Sequence, residues 1–428
     1  MAAQGTSFGP ELRRRRTTAG LSLTQLAART HYTKGYLSKI ENGTKPPGPD
    51  LARRCDAALG SGGELAALVE RPAPDEPPVA EVSGSETWTI KLAPDGGARF
   101  LPAADETEGA TPLWLDAGGG LSAAVGEHRI ASTLAVFRAQ FDQARALGRW
   151  ASPALVLPTV IAQTHTLRGL AAAAREPERG RLLFLAARYA EFAGWMAQEA
   201  GDERAAAWWT RQSVRIAAPT GSAVLAVYSL VREAEISLYR DDAVRVIELA
   251  HEAQSTTRVP ARVLGLAAQR EAQGHALYGD YDNCRRTLDR AAELLATPPA
   301  TGPDEPIIGS TTVSDLNAMV TGWCLHDLGR PAEAAELLDR EVPHIAETAL
   351  RSRVRFGVRR ALAHASAGEV DHACTLSGDL LDLIDLVDSA TVRVDLRRLT
   401  HTLARWHTHG QVREVYPRLT AALRTNTF

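Results

Sequence analysis

Lys34 and Lys39 are the residues of this chain best suited to reading a nucleic-acid base, because a lysine ammonium can donate to both O6 and N7 of guanine. They lie in Lys34-Gly35-Tyr36-Leu37-Ser38-Lys39-Ile40-Glu41, a stretch that reads as a short helix. A second helix must hold that one at a sharp angle, and the sequence supplies the devices. Ser22 can accept from the amide of Gln25 while Gln25 reaches back to Ser22, a capping box flanked by Leu21 and Leu26 as a hydrophobic staple. Thr33 caps the following helix, with Tyr32 placed to pack on Leu37. Asn42-Gly43 suits a left-handed helix end, and Pro46 and Pro47 block continuation. Leu26 and Ala27 on one helix meet Leu37 and Ile40 on the other, and Ala27 is small enough for close approach. Residues 21–46 therefore read as two short helices, the second armed to enter a DNA groove.

Ser22-Leu23-Thr24-Gln25-Leu26-Ala27 followed by Tyr36-Leu37-Ser38-Lys39-Ile40-Glu41-Asn42-Gly43 resembles the Cro/repressor-type helix-turn-helix of the XRE family, over roughly residues 8–70. In that family the second helix lies in the major groove with its early residues on base edges. The resemblance implies that Lys34, Gly35, Tyr36, Ser38 and Lys39, behind the Thr33 cap, face the bases. It implies Gln25 beside a phosphate, and Asn42 and Lys45 on the backbone just past the recognition helix. The family usually has an apolar residue three positions after Leu12. Here it is Arg15, which must snorkel out of the small core.

Charge is unevenly spread. The net formal charge is −3, yet residues 1–71 hold eleven Lys and Arg against six Asp and Glu. A basic N-terminal module on an acidic body suits DNA binding confined to one end. The run Arg13–Arg16 reads equally as a phosphate contact or a solvated helix face. The 428 residues, 45% hydrophobic, exceed one ordinary domain, and abundant Ala, Leu and Arg favour helix. No apolar run is long enough to span a membrane and no apolar signal core opens the chain, so the expected location is cytoplasmic. Four cysteines form no CxxC pair, and His372 with Cys374 offers two ligands, too few for a metal. No metal or other cofactor is expected. There is no phosphate-cradling glycine loop, HExxH or GxSxG, so the chain does not read as an enzyme.

Residues 71–87 carry four prolines and four acidic residues without an apolar period, an extended linker. Trp88, Ile90 and Leu92 then alternate with polar residues, Pro94-Asp95-Gly96-Gly97 makes a turn, and residues 98–101 return, a β-hairpin. Residues 102–120 read as irregular. Beyond Leu121, Gly201, Gly279, Gly329, Gly368 and Gly410 each occupy a short turn between helix-like segments, at separations of 78, 50, 39 and 42. The 50 contains an inserted loop, Thr297–Gly309. Such periods indicate stacked helix pairs, about seven of them. The expected fold is thus mostly α: a helix-turn-helix domain (1–71), a linker with hairpin (72–112) and an α-solenoid (113–428).

Gly279-Asp280-Tyr281-Asp282-Asn283-Cys284 and Leu328-Gly329-Arg330-Pro331-Ala332-Glu333-Ala334 resemble tetratricopeptide repeats, with Gly194 and Gly322 where that family wants a small residue. The Arg240-Asp241-Asp242 turn lacks its glycine. The combined architecture resembles actinobacterial regulators and the RRNPP group of peptide sensors. Repeat geometry would put Arg188, Trp195, Tyr228, Arg232, Gln269, Gln273, Trp323 and His326 in a concave groove, as an effector site or as inter-repeat packing. The chain has only four asparagines, and of these Asn317 alone suits the groove, which argues against an asparagine-clamped peptide. The leading expectation is a homodimeric regulator on a palindromic duplex, each module reading a half-site, with a small-molecule or peptide effector. The alternative is a protein-interaction scaffold whose solenoid docks a partner protein.

Overall fold

The computed structural model describes residues 7–69, 88–92, 98–102, 129–256, 259–297, 307–310 and 312–424. The linker at 71–87, the irregular stretch at 102–120 apart from Pro102, which closes a strand, and most of the inserted loop lie outside these. The chain divides into two compact units, one of residues 1–72 with 226–428 and the other of residues 73–225.

The N-terminal helices are α1 (Phe8–Thr18), α2 (Leu23–Thr30), α3 (Lys34–Glu41) and α4 (Pro49–Leu59). Ser22 and Gln25 close the capping box on α2, and the Thr33 hydroxyl accepts from the Tyr36 amide to start α3. His31 ends α2 in the left-handed region at φ 56°, and Gly43 follows α3 at φ 71°. Phe8, Leu12, Leu26, Leu37, Ile40 and Leu51 form the small core, with Tyr32 and Tyr36 packed at its edge.

Strands β1 (Trp88–Leu92) and β2 (Ala98–Pro102) pair antiparallel, Trp88 opposite Pro102. In the same unit lie α5 (Ile130–Leu147), α6 (Pro153–Ala173), α7 (Glu178–Ala200) and α8 (Glu203–Ala217). Tyr189 anchors that unit: its ring is 4.7 Å from Phe141, and its hydroxyl donates to Phe137 O at 2.7 Å.

The larger unit continues with α9 (Val224–Tyr239), α10 (Ala243–Gln254), α11 (Ala261–Tyr278), α12 (Tyr281–Ala296), α13 (Leu316–Asp327) and α14 (Pro331–Glu341). It ends with α15 (Leu350–Ala367), α16 (Val370–Val387), α17 (Ala390–Leu403) and α18 (Gly410–Arg424). Among the described residues the helices from α5 onward fall into seven successive pairs. Several turns share one chemistry. Gly201, Gly279, Gly329 and Gly368 take positive φ, and Asp241 does so at 57° where no glycine stands. Asp202, Asp242 and Asp280 then cap the next helix through backbone amides. Gly410 departs from the expectation: it is the first residue of α18, without a positive φ. Gly322 allows close packing, since a Cβ there would lie 2.9 Å from Leu338.

A buried ion cluster ties α9, α11, α15 and α17 together. Glu235 pairs with Arg232 and lies 3.5 Å from Arg270, while Arg359 meets Asp395 at 2.7 Å. Burial alone would raise the Glu235 carboxyl, but Arg270, Arg232, Arg355 and Arg359 together bring it down to about 2. A carboxylate whose pKa is lowered on folding adds stability above its unfolded value, and that contribution is lost as pH falls through the folded one. Between pH ~4.3 and 2 the stability gap between the native chain and Glu235→Gln should shrink by on the order of 2–3 kcal/mol. Thermal melts of both proteins across that range check this; a constant gap would count against it.

Candidate nucleic-acid interface

The candidate surface is one side of α3. At ~100° per residue, Lys34, Ser38, Asn42, Gly35 and Lys39 fall on an arc of roughly 140°, Leu37 and Ile40 point the other way, and Glu41 lies just outside the arc beside Lys34, where α1 covers it. Accessibility follows this division. Lys34, Gly35, Lys39 and Asn42 are exposed, Ser38 and Tyr36 are half-buried, and Leu37, Ile40 and Glu41 are buried. A Cβ at Gly35 would touch nothing within 4 Å, so this part of the backbone is open to a close-fitting partner. Lys45 is held toward the same end, its ammonium 4.6 Å from the Tyr36 ring centroid. Gln25 and Thr33 are exposed, and both serve as helix caps.

Behind this face the arginine run has a structural use that neither sequence reading contained. Glu41 is 2% exposed at the end of α3, and it accepts from Arg16 at 2.6 Å and from Arg13 at 3.2 Å. Arg13 also donates to Asn42 Oδ1 at 2.6 Å. Glu11 accepts from Arg14 at 2.6 Å and from Arg15 at 2.7 Å, and Arg15 pairs further with Glu64. The Glu11 carboxyl is lowered to about 2 by its bonds to Arg14 and then Arg15, against the effect of desolvation. Arg15 therefore does not simply snorkel to water; it is fixed between two carboxylates.

The opposite side of the domain rests on the later helix pairs of its own unit. Arg405, just after α17, donates to the Tyr32 hydroxyl at 2.9 Å and lies 4.2 Å from the centre of that ring. Tyr32 in turn donates to Asp50 at 2.9 Å. Burial would raise the Asp50 carboxyl, but Arg54, Arg53, His326 and Arg405 hold it well below the carboxylate range. Burial, then Arg54 and Arg405, push the His31 imidazole below its ordinary value. Arg54 donates to Ser366 O at 3.1 Å and Arg53 to Leu277 O at 3.4 Å.

Three turn glycines complete this contact. A Cβ at Gly368 would come within 3.0 Å of the His31 ring, one at Gly329 within 2.9 Å of Arg53 O, and one on Gly63 within 2.8 Å of Gly279 O. Hydrogen bonds to a charged partner are worth about 1.5–3 kcal/mol. Arg405→Ala should therefore loosen the seat, seen as faster amide exchange across residues 31–54 with the core of α1–α4 intact. Unchanged exchange there would show that Arg405 carries none of the docking.

The eight residues expected in a concave groove are divided between the two units. Arg188 is buried against Phe141 and pairs with Glu191 at 3.2 Å, and Trp195 packs on Phe192. In the larger unit Tyr228 is 7% exposed, Gln269 donates to Asn317 at 3.2 Å, and Gln273 accepts from Arg270. Arg232 is in the ion cluster, Trp323 lies under the Arg359 guanidinium, and His326 meets Ser366 at 3.2 Å. The cavity bounded by Trp323, His326 and Arg359 holds about 10 Å³, far from the ~300–1,000 Å³ of ligand pockets. A cavity of about 480 Å³ does lie in the smaller unit, bounded by His165, Arg168, Arg179 and Leu183. No sequence period marks it, because its lining comes from α6, α7 and Pro219 beyond α8.

A helix-turn-helix domain family matches residues 7–69. Searches of curated proteins and of solved structures returned no match. The chain thus carries an N-terminal helix-turn-helix domain, which points to DNA as a partner, ahead of a long helical region. Among the described residues no helix is long and apolar enough to cross a membrane.

Proposed function

We propose that this protein is a sequence-specific DNA-binding transcriptional regulator of the XRE type that acts as a homodimer. Its helix pairs form a tetratricopeptide-like body that serves dimerisation, effector sensing or both. The observation that carries the reading is the division of α3 into two sides. Lys34, Gly35, Ser38, Lys39 and Asn42 are presented outward, while the rear of the domain is packed on the later helix pairs of its unit. Such a domain meets a groove without first having to leave its seat. Base edges are read from Lys34 and Lys39, and backbone contacts fall to Gln25, Asn42 and Lys45. One module reads a half-site, so two copies spaced by ~34–36 Å read a palindrome. For an effector, the open cavity beside His165, Arg168 and Arg179 supports sensing of a small molecule better than the filled surroundings of Trp323. The reading assigns no catalytic step to any residue.

The test is selection of genomic fragments by the purified full-length protein at ~150 mM salt, where weak phosphate attraction is suppressed. Recovery of a palindrome with half-sites about one turn apart is the expected result. Folded protein that selects no sequence would overturn the proposal.

A further inference from the structure

His372 finds its partners on other helices, away from its sequence neighbour Cys374. Cys374 is buried in the apolar core shared by α15–α18. Asp339 on α14, His364 on α15 and His372 on α16 converge, with one ligand atom from each lying within 4.8 Å of the others. The two imidazole rings stand nearly perpendicular, 4.4 Å apart between centroids.

The surroundings of His364 go beyond chance proximity. Its Nε2 lies 2.9 Å from Asp339 Oδ1, and its Nδ1 lies 2.5 Å from Glu369 Oε2. Carboxylate oxygens only accept, and a neutral imidazole has one N–H. Once Nδ1–H donates to Glu369, the Nε2 lone pair faces the Asp339 carboxylate, and something positive must lie between them. A proton can do this, and so can a metal ion. A carboxylate on the far nitrogen of a ligating histidine is also the arrangement that fixes its tautomer and orients it toward a metal. Arg360 Nε, 2.5 Å from Asp339 Oδ1, orients the other acidic group.

We propose that Asp339, His364 and His372 form a binding site for a divalent transition-metal ion of the zinc class, with Glu369 as the residue that orients His364. Two imidazoles and a carboxylate match that ion's preference, and the exposure of His372 leaves a fourth position to water. Tetrahedral bonds of ~2.0–2.1 Å hold ligand atoms roughly 3.3 Å apart, so the His364–Asp339 pair opens slightly from 2.9 Å while a rotation of exposed His372 brings its ring nitrogen in from within 4.8 Å. The ion joins α14, α15 and α16, tying two successive helix pairs.

The experiment uses untagged full-length protein freed of metal by a chelator and titrated with Zn²⁺, with Co²⁺ absorption as a report of coordination geometry. One ion per chain is expected, with a tetrahedral Co²⁺ spectrum. His372→Ala, at an exposed position, should keep the fold and lose the ion, and Glu369→Gln should weaken binding ~10–100-fold. Absence of Zn²⁺ binding in the native chain would overturn the proposal. So would the same stoichiometry and affinity in His372→Ala, which would show only adventitious binding elsewhere.

Discussion

Replacing Lys34 and Lys39 together by alanine is expected to abolish discrimination between operator and random duplex while leaving the domain folded. Both side chains are exposed at the two margins of the outward arc of α3, and neither supports the core. Each good base contact is worth ~1–3 kcal/mol of discrimination. The double variant should therefore lose about 2–6 kcal/mol per half-site, from roughly thirtyfold to more than ten-thousandfold in affinity. Titrations against operator and scrambled duplexes at several salt concentrations separate two roles. Loss confined to operator assigns the lysines to bases. A uniform loss on every duplex, with a salt slope shallower by about one per lysine, moves them to phosphates and removes the base-reading assignment. Unchanged selectivity would dismiss α3 as the recognition helix.

Glu41→Ala should have the largest effect on stability. Its carboxylate is 2% exposed, and Arg16 beside it is 13% exposed, so deleting the acid leaves a largely buried guanidinium without its partner. Breaking a buried pair from one side costs ~3–5 kcal/mol. Arg13 is half exposed and can turn to water, which favours the lower end. A core of this size rarely supplies more than ~3–5 kcal/mol, so the loss rivals the stability of the whole domain. The expected readout is loss of amide protection over residues 8–59 and of DNA binding, with the later helices still protected. Glu41→Gln, which keeps shape and one acceptor, should fall between. Native protection in the alanine variant would mean that the pair contributes nothing net.

Much of the domain was legible because its signals are local. The Ser22–Gln25 box, the Thr33 cap and the Gly43 turn are decided within a few residues, and each stands where the spacing put it. The turns at Gly201, Gly279, Gly329 and Gly368 are legible for the same reason. The illegible parts are pairings between distant residues. Nothing near Arg15 announces Glu64, and nothing in the arginine run says that Glu41 will absorb two of its members. The extended linker reading carries no sign of docking, whereas Tyr32, Asp50 and Arg54 meet groups more than 300 positions away. His372 and Cys374 stand two apart in sequence, yet helix geometry sends Cys374 to the core and His372 to Asp339 and His364. The division of the groove residues between two units was equally hidden, since repeat spacing carries no information on which helices form one compact body.

The turn glycines have a consequence for how this chain can vary. Gly279, Gly329 and Gly368 each satisfy two masters, a left-handed backbone and a close neighbour from the N-terminal domain, which an added Cβ would approach to 3.3, 2.9 and 3.0 Å. Asp241 has the first duty alone, and there the side chain reaches Arg398 at 2.6 Å instead. A left-handed turn tolerates asparagine or aspartate; a turn that is also a docking surface does not. In a lineage that discarded its N-terminal domain, those three positions would be the first in the helical body released to drift.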